Sequence, residues 1–375
     1  MPKVRNKPAP PSTASYRVGT LDKGLLVLEL LEKGTRPLRI QEIAAATGIQ
    51  RLSVFRLLCT LAERGYVERL QDRKYRATSR RRRSLIGYCA PLTGTAFRVD
   101  LAESLRVAAL DAGLDLLVID NDEGDSAAST RNAALLIDAK VDLAILFQPV
   151  EWIGHAMADH LLRSSIPFIT VEVPLQGGLY FGANNFQAGR LAGQVLARFA
   201  AKTWKGRFDE VVLVESSLTS ANLAARLAGA LVGLRAVLGP VDESRVAHLD
   251  GQAHVDSSRD AMAAFLKRTK KGERLLIGCF NDQTAIGVLQ AVRAAGREPD
   301  VAIVGQNAAE ESWAEIRNPR SRFIASIAYF PERYGSRLIE LAQSILNREQ
   351  VPPAVYTEHR VLDSSNIDRF YGGLA

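Results

Sequence analysis

The sequence predicts an α/β protein in two parts: a small, mostly helical head, then a large body of parallel sheet with helices on both faces. Three observations carry that prediction. Apolar residues recur at helical spacing and then in a hairpin pattern over the first eighty residues. Strand-like and helix-like segments alternate from Ser84 onward. The charge divides at the same place: residues 1–83 hold 19 Lys and Arg against 7 Asp and Glu, a net of +12, whereas the rest hold 29 against 34, a net of −5. A basic head on a mildly acidic body is the electrostatic footprint of a head that binds a polyanion.

The 375 residues are 47% apolar and 24% charged, which suits a soluble globular protein too long for one compact core. No apolar run reaches the length of a membrane span, so no membrane partner is expected. The start is basic and Pro-rich with no apolar h-region, so a cytoplasmic chain is expected. Cys59, Cys89 and Cys279 lie far apart inside apolar runs and are expected as buried thiols, not disulfides.

In the head, Leu21, Leu25, Leu28 and Leu31 fall at helical spacing until Gly34 stops the pattern. A second helix over 40–46 ends at Thr47-Gly48, and a third over 50–64 is closed by Gly65. The short gap between them is the turn of a helix-turn-helix. In the third helix Val54, Leu57, Leu58 and Leu61 form the inward stripe, which leaves Gln50, Arg51, Ser53 and Arg56 outward. Arg can donate two bonds to guanine and Gln two to adenine, while Ser suits phosphate. Strands over 66–70 and 75–77 flank Gln71-Asp72-Arg73-Lys74 and make a basic-tipped wing. Four consecutive arginines, 80–83, are expected to form an extended linker, either a plain solvated one or one neutralised by phosphates or a narrow minor groove. The candidate DNA-binding residues are therefore Gln50, Arg51, Ser53, Arg56, Arg73, Lys74 and Arg81.

The run TGIQRLSVFRLLCTLAERGYVERLQDRKYR resembles the winged helix-turn-helix of the IclR family of bacterial transcription regulators, over residues 15–79. The resemblance implies a double-stranded DNA operator as partner. Two features depart from it: Phe55 stands where family members often carry a smaller or polar residue, and the wing tip lacks the usual glycine. The expected organisation is an arm over 1–15, the winged helix-turn-helix over 16–79, the linker over 80–84 and the body over 85–375.

In the body, strands are expected over 85–90, 115–120, 143–147, 167–171, 210–214, 274–279, 302–304 and 323–327. Helices between them include 97–112, 188–200, 221–237, 257–267 and 284–295. Repeated βα units demand parallel sheet covered on both faces, and the body exceeds one such sheet, so two similar halves with a cleft are expected. Ligands bind beyond the carboxyl ends of such strands. The segments SLIGYCAPLTGTAFRVDLAESLRVAALDAG, IPFITVEVP, NNFQAGRLAG, SANLAARLAG, GCFNDQTAIGVLQAVRAAG and VAIVGQN follow in an order similar to the type I periplasmic sugar-binding proteins and LacI-family effector domains, across nearly the whole body.

That resemblance implies a two-lobed periplasmic-binding-protein type I fold, crossed by the chain near Asn185, Tyr329 and Arg360. Lobe one would take about 85–185 and 330–360, and lobe two about 186–329 and 361–375. It also implies an enclosed small-molecule effector held by Thr95, Phe97, Arg98, Glu172, Arg226, Asn281, Asp282, Asn307 and Tyr329. Carboxylate, amide and guanidinium groups satisfy hydroxyls, and aromatic rings, with Trp152 and Trp313 on nearby loops, cover the apolar faces of a sugar. Three positions depart from the pentose and hexose pattern: Glu172-Val173 replaces Asp-Arg, Gly305-Gln306-Asn307 replaces Gly-x-Asp, and Tyr329 replaces Gln. Neutral and acidic sugars both remain open.

A catalytic constellation is not found. His155, His160, His248, His254 and His359 show no metal-ligand spacing, and Gly182, Gly189 and Gly193 make no dinucleotide fingerprint. The Asp-rich segment 120–125 lacks the remaining ligands of a calcium loop and reads as a solvated loop at the cleft mouth. No enzyme, cofactor or metal is expected. The chain reads as a DNA-binding regulator that senses a sugar-like effector, working as a homodimer or dimer of dimers because one recognition helix offers few base contacts. The alternative is a DNA-binding head on an enzyme-like or structural α/β domain without effector sensing.

Overall fold

Two glycines set the turns of the head. In the computed structural model, which describes residues 18–34, 36–78, 83–121, 125–217 and 219–372, the chain divides into Met1–Arg83 and Ser84–Ala375. The first unit runs α1 (Gly19–Lys33), β1 (Leu38–Arg39), α2 (Ile40–Thr47), α3 (Arg51–Glu63), β2 (Val67–Arg69) and β3 (Lys74–Ala77). Gly48 closes α2 at φ 68° and Gly65 follows α3 at φ 73°, the left-handed conformation that glycine adopts without a Cβ clash. Val27, Leu31, Ile43, Val54, Leu58, Val67 and Tyr75 form the core.

β1 was not expected; it pairs with β3 and completes a three-stranded sheet in the order β1-β3-β2. At the wing tip the slot that glycine usually fills belongs to Arg73, at φ 61°, while Asp72 accepts from the Lys74 backbone and pairs with its ammonium at 2.5 Å. The helical spacing over α1 splits into two faces. Val27 and Leu31 are buried, but Val18, Leu21, Leu25 and Leu26 are exposed. Cys59, expected inside, is exposed on α3, unlike Cys89 and Cys279.

The second unit opens with β4 (Leu85–Ala90), α4 (Ala96–Asp111), β5 (Asp115–Asp120), α5 (Ser126–Asp138), β6 (Leu143–Leu146), α6 (Glu151–Arg163), β7 (Phe168–Val171) and β8 (Leu179–Gly182). It continues with α7 (Asn185–Trp204), β9 (Glu210–Glu215), α8 (Ala221–Leu238), β10 (Val246–Asp250), α9 (Val255–Leu266), β11 (Leu275–Cys279), α10 (Asp282–Ala294), β12 (Val301–Asn307), α11 (Trp313–Arg317) and β13 (Phe323–Ala328). The last elements are α12 (Tyr334–Leu346), β14 (Ala354–Tyr356), β15 (Arg360–Leu362) and α13 (Asp368–Tyr371). One six-stranded sheet, β14-β8-β7-β6-β4-β5, is parallel throughout. The other, β10-β9-β11-β12-β13-β15, is parallel except where β15 pairs antiparallel with β13. The chain passes between the lobes three times: between β8 and α7, between β13 and α12, and between β14 and β15.

Helices α7 and α8 cross with their backbones in contact. A Cβ added at Gly189 would lie 1.7 Å from the Arg226 carbonyl oxygen, at Gly193 1.8 Å from that of Ala230, at Gly229 2.1 Å from that of Phe186 and at Gly233 2.0 Å from that of Arg190. Two glycines four residues apart on each helix therefore let the two backbones touch. α8 is also the one described helix long and apolar enough to span a membrane, although the sequence reading found no such run; here its glycine face lies against α7.

Asp282, expected to face the ligand, lies instead beneath the cleft floor as the first residue of α10, fully buried. Its Oδ1 accepts from Ser326 at 2.6 Å, and its Oδ2 accepts from the Ala309 amide at 2.7 Å and Ser312 at 3.0 Å. The carboxyl thus ties α10 to β13 and to the turn after β12. Burial pushes it up to about 7, against the pull of those three donors.

Two outcomes follow. Gly189→Ala should lower the unfolding free energy by about 1–3 kcal/mol in denaturant titrations, because the crossing has no room for a methyl group. Asp282 binds its proton more tightly folded than unfolded, so its stabilising contribution is complete below pH about 4 and is lost as pH rises toward about 7. Asp282→Asn should remove that downward slope from a comparison of unfolding free energy against pH.

Candidate functional site

Between the lobes lies a cleft of about 760 Å³, within the ~300–1,000 Å³ range of small-molecule sites. It sits at the carboxyl ends of the strands, where helices begin: Thr95 caps α4, Ser220 caps α8, His254 caps α9 and Asn281 caps α10, and all four line it. Helix N-termini present backbone N–H groups and the positive ends of their dipoles, which suits oxygen acceptors.

Arg226 organises the second lobe's wall. Contact of α7 with α8 brings its guanidinium to Asn185 Oδ1, which accepts from Nε at 3.1 Å and Nη2 at 2.6 Å, while the Phe280 carbonyl accepts from Nη1 at 3.0 Å. The guanidinium carbon lies 4.7 Å from the Phe280 ring centroid and 5.3 Å from that of Tyr329, within cation–π range of both rings. Glu172 enters from the first lobe at φ 62°. Its Oε1 accepts from Tyr334 at 2.8 Å and from the Ala183 amide at 3.1 Å. Burial raises its carboxyl above the usual range, while the charge of Arg226 pulls it back.

Of the expected ligand residues, Thr95, Phe97, Arg98, Glu172, Arg226, Asn281, Asn307 and Tyr329 line the cleft together, and Asp282 does not. Several have structural duties as well. Arg98 donates to the Thr93 carbonyl at 2.9 Å, and its partial burial lowers its pKa. Asn281 accepts from Thr284 and donates to the Ala253 carbonyl, and Tyr329 donates to Gln306 at 2.7 Å. Asn307 differs from these, because its amide makes no hydrogen bond among the described residues while its backbone sits at φ 101°. Glu172, Gln252, Ala253 and Asn307 all line the cleft with positive φ, which places backbone strain where a ligand would sit.

Trp152 lines the cleft and is 63% exposed. Trp313 is elsewhere, stacked on Tyr371 at 4.4 Å and donating to the Ala308 carbonyl. Sequence reading missed Phe147, Ser216, Ser220, Gln252, His254, Phe280 and Gln283, which also line the cleft. All follow strands, so the rule that ligands bind beyond carboxyl ends was the available signal. Ser216 is buried, and among the described residues its Oγ has no partner. The Asp-rich segment is not part of this lining: Asp120 accepts from the Leu92 amide, Asn121 is buried and Asp125 caps α5, with 122–124 outside the described residues.

The three interlobe passages meet at His359. Its Nε2 accepts from the Asn184 amide at 3.0 Å, its ring lies edge-on to Tyr329 at 5.1 Å, and burial holds it down at about 4, so it is neutral. Thr357 donates its amide to the Gly182 carbonyl. Among the described residues no group of three His, Cys, Asp or Glu side chains could hold a metal ion.

In the head, Gln50, Arg51 and Arg56 are exposed, Ser53 is half-buried, and Arg73 stands exposed at the wing tip beside Lys74. Arg81 lies outside the described residues. The outer face of α3 also carries Leu52 and Phe55, 63% and 43% exposed.

Comparison with known proteins bears on both units. A periplasmic binding protein domain matches residues 86–350 and an IclR helix-turn-helix domain matches residues 20–71. The ribose import binding protein of Haemophilus influenzae is 26% identical over 273 residues, which cover 71% of this chain and 87% of that protein. The Escherichia coli ribose import binding protein is 23% identical over 271 residues, 68% of this chain and 82% of that one. A Mycobacterium smegmatis protein solved with β-D-fucofuranose superposes with a TM-score of 0.66 at 22% identity, covering 77% of this chain and 94% of that one. A Bacillus halodurans transporter solute-binding protein with bound myo-inositol gives 0.66 at 15% identity, covering 79% and 99%. The interlobe cleft, the three passages and the matched domain agree: the chain belongs to the periplasmic-binding-protein family, and it carries an IclR helix-turn-helix domain ahead of that fold.

Proposed function

We propose that this chain is a DNA-binding transcription regulator whose body senses a sugar or polyol in the interlobe cleft and whose head reads an operator. The observation that carries the reading is the union of two features in one chain: a helix-turn-helix with an exposed cationic helix, and a cleft lined by hydroxyl-satisfying side chains between aromatic walls. The relatives that bind ribose, β-D-fucofuranose and myo-inositol support a polyhydroxylated ligand.

In mechanism, the ligand's hydroxyls replace water on Glu172, Asn281, Asn307 and the Arg226 edge, and Phe97, Trp152 and Tyr329 cover its apolar faces. Binding groups from both lobes favours the closed state by the difference in affinity between closed and open. The reading is one of binding and not of turnover, so ligand recovered after incubation should be chemically unchanged. Two heads on a two-fold axis would double the base contacts, and the exposed Val18, Leu21 and Leu25 face of α1 suits a dimer contact between heads. The compartment is the cytoplasm, where DNA is reached.

The test of sensing is a thermal-shift and calorimetric screen against pentoses, hexoses, polyols and sugar acids. Ligand at a hundred times its Kd should stabilise the body by about 2.7 kcal/mol; a panel with no stabilising member contradicts the reading. Asn307→Gly keeps a backbone that tolerates φ 101° and should weaken binding about two- to tenfold with the ligand-free midpoint unchanged. For the head, duplex affinity measured against salt should fall steeply. Arg73→Gly, which suits φ 61°, should reduce that slope by about one without altering sequence preference.

A further inference from the structure

The outer face of α3 holds side chains that neither its core nor phosphate binding explains. Leu52 and Phe55 are 63% and 43% exposed, and Cys59 is exposed as well. Their spacing, i, i+3 and i+7, draws them into one stripe along a helix. The buried residues Val54 and Leu58 face another side of the helix, about a third of a turn away, so the exposed stripe is not part of the core. It sits among Gln50, Arg51 and Arg56, all exposed, in a head whose net charge is +12. Apolar side chains flanked by cations on an exposed helix suit a surface that is itself anionic at its rim and apolar at chosen points within. The major groove of duplex DNA is such a surface, and the one apolar group on its base edges is the C5 methyl of thymine.

We infer that Leu52 and Phe55 are specificity-determining residues that read thymine methyl groups, while Arg51 and Arg56 read neighbouring guanines or phosphates. This rests on the DNA-reading role of the head and adds what that head selects: the operator half-site carries thymines opposite the middle of α3. Phe55 offers a flat apolar face to a methyl group, and Leu52, one turn nearer the N-terminus, offers a second contact beside it. Cys59 extends the stripe toward the C-terminal end.

The experiment selects duplexes from a randomised pool with the intact chain, then replaces each thymine of the selected site by deoxyuridine, which removes only the methyl group. Affinities are measured for the wild type, Leu52→Ala, Phe55→Ala and Arg56→Ala, all at exposed positions, with melting midpoints to confirm folding. The wild type should lose about fourfold in affinity at each thymine read, the worth of one buried methyl group. Phe55→Ala or Leu52→Ala should bind the thymine and uracil duplexes equally at the position that it reads, whereas Arg56→Ala should keep the uracil penalty. Equal binding of both duplexes by the wild type overturns the inference and leaves the DNA-reading head in place. A uracil penalty undiminished in both apolar variants also overturns it and assigns the stripe to another partner, such as a protein. A folded chain that selects no duplex removes the DNA-reading head and this inference together.

Discussion

The body's site depends on the seating of one buried cation. A guanidinium taken out of water costs several kcal/mol unless its donors and its charge are answered. Arg226 is answered by the Asn185 amide, the Phe280 carbonyl, two aromatic rings and the nearby Glu172 carboxylate. These partners come from α7, the end of β11, the passage after β13 and the other lobe. They converge because α7 and α8 touch backbone to backbone, which only glycine at 189, 193, 229 and 233 permits. Four residues without side chains thus fix the position of the most polar group in the cleft.

From that point the chemistry of the cleft divides between its walls. Many of its polar side chains are held by bonds within the protein, which preorganises them and reduces the entropy lost when a ligand arrives. Among the described residues, Asn307, held at a strained φ, and Ser216, buried with no partner for its hydroxyl, are two lining groups left free of such bonds. A hydroxyl-rich molecule would satisfy both. The passages between lobes are themselves bonded to one another through His359, Asn184, Tyr329, Thr357 and Gly182. Movement of one lobe against the other therefore turns about a connected strip and not about three independent strands.

How much of this was legible in the sequence follows from the range of the interaction concerned. The head's helices and turns are local, with Gly48 and Gly65 marking their own left-handed positions, and the central strands of both sheets read as continuous apolar runs. β8, β10, β14 and β15 were not read, because they are short or lie near sheet edges, and β10 alternates half-buried with exposed residues. Asn281 and Asp282 are adjacent polar residues at one helix start, yet one faces the cleft and the other the core. Sequence carries no sign of which, since the difference lies in Ser312 and Ser326, thirty and more residues away. His359 gave no signal, because its role comes from a bond to Asn184. On α3 the period named only the polar Gln50, Arg51, Ser53 and Arg56 as outward, and the exposed Leu52 and Phe55 were left out.

In the proposed regulator one chain couples an effector cleft to a reader of DNA. The most direct measurement is the affinity of the intact chain for its selected duplex, with and without saturating ligand, paired with the affinity for that ligand with and without duplex. Linkage requires the two ratios to be equal, and regulation requires them to differ from one. Equal ratios of about fivefold or more in either direction are expected. A duplex affinity indifferent to saturating ligand would contradict that coupling.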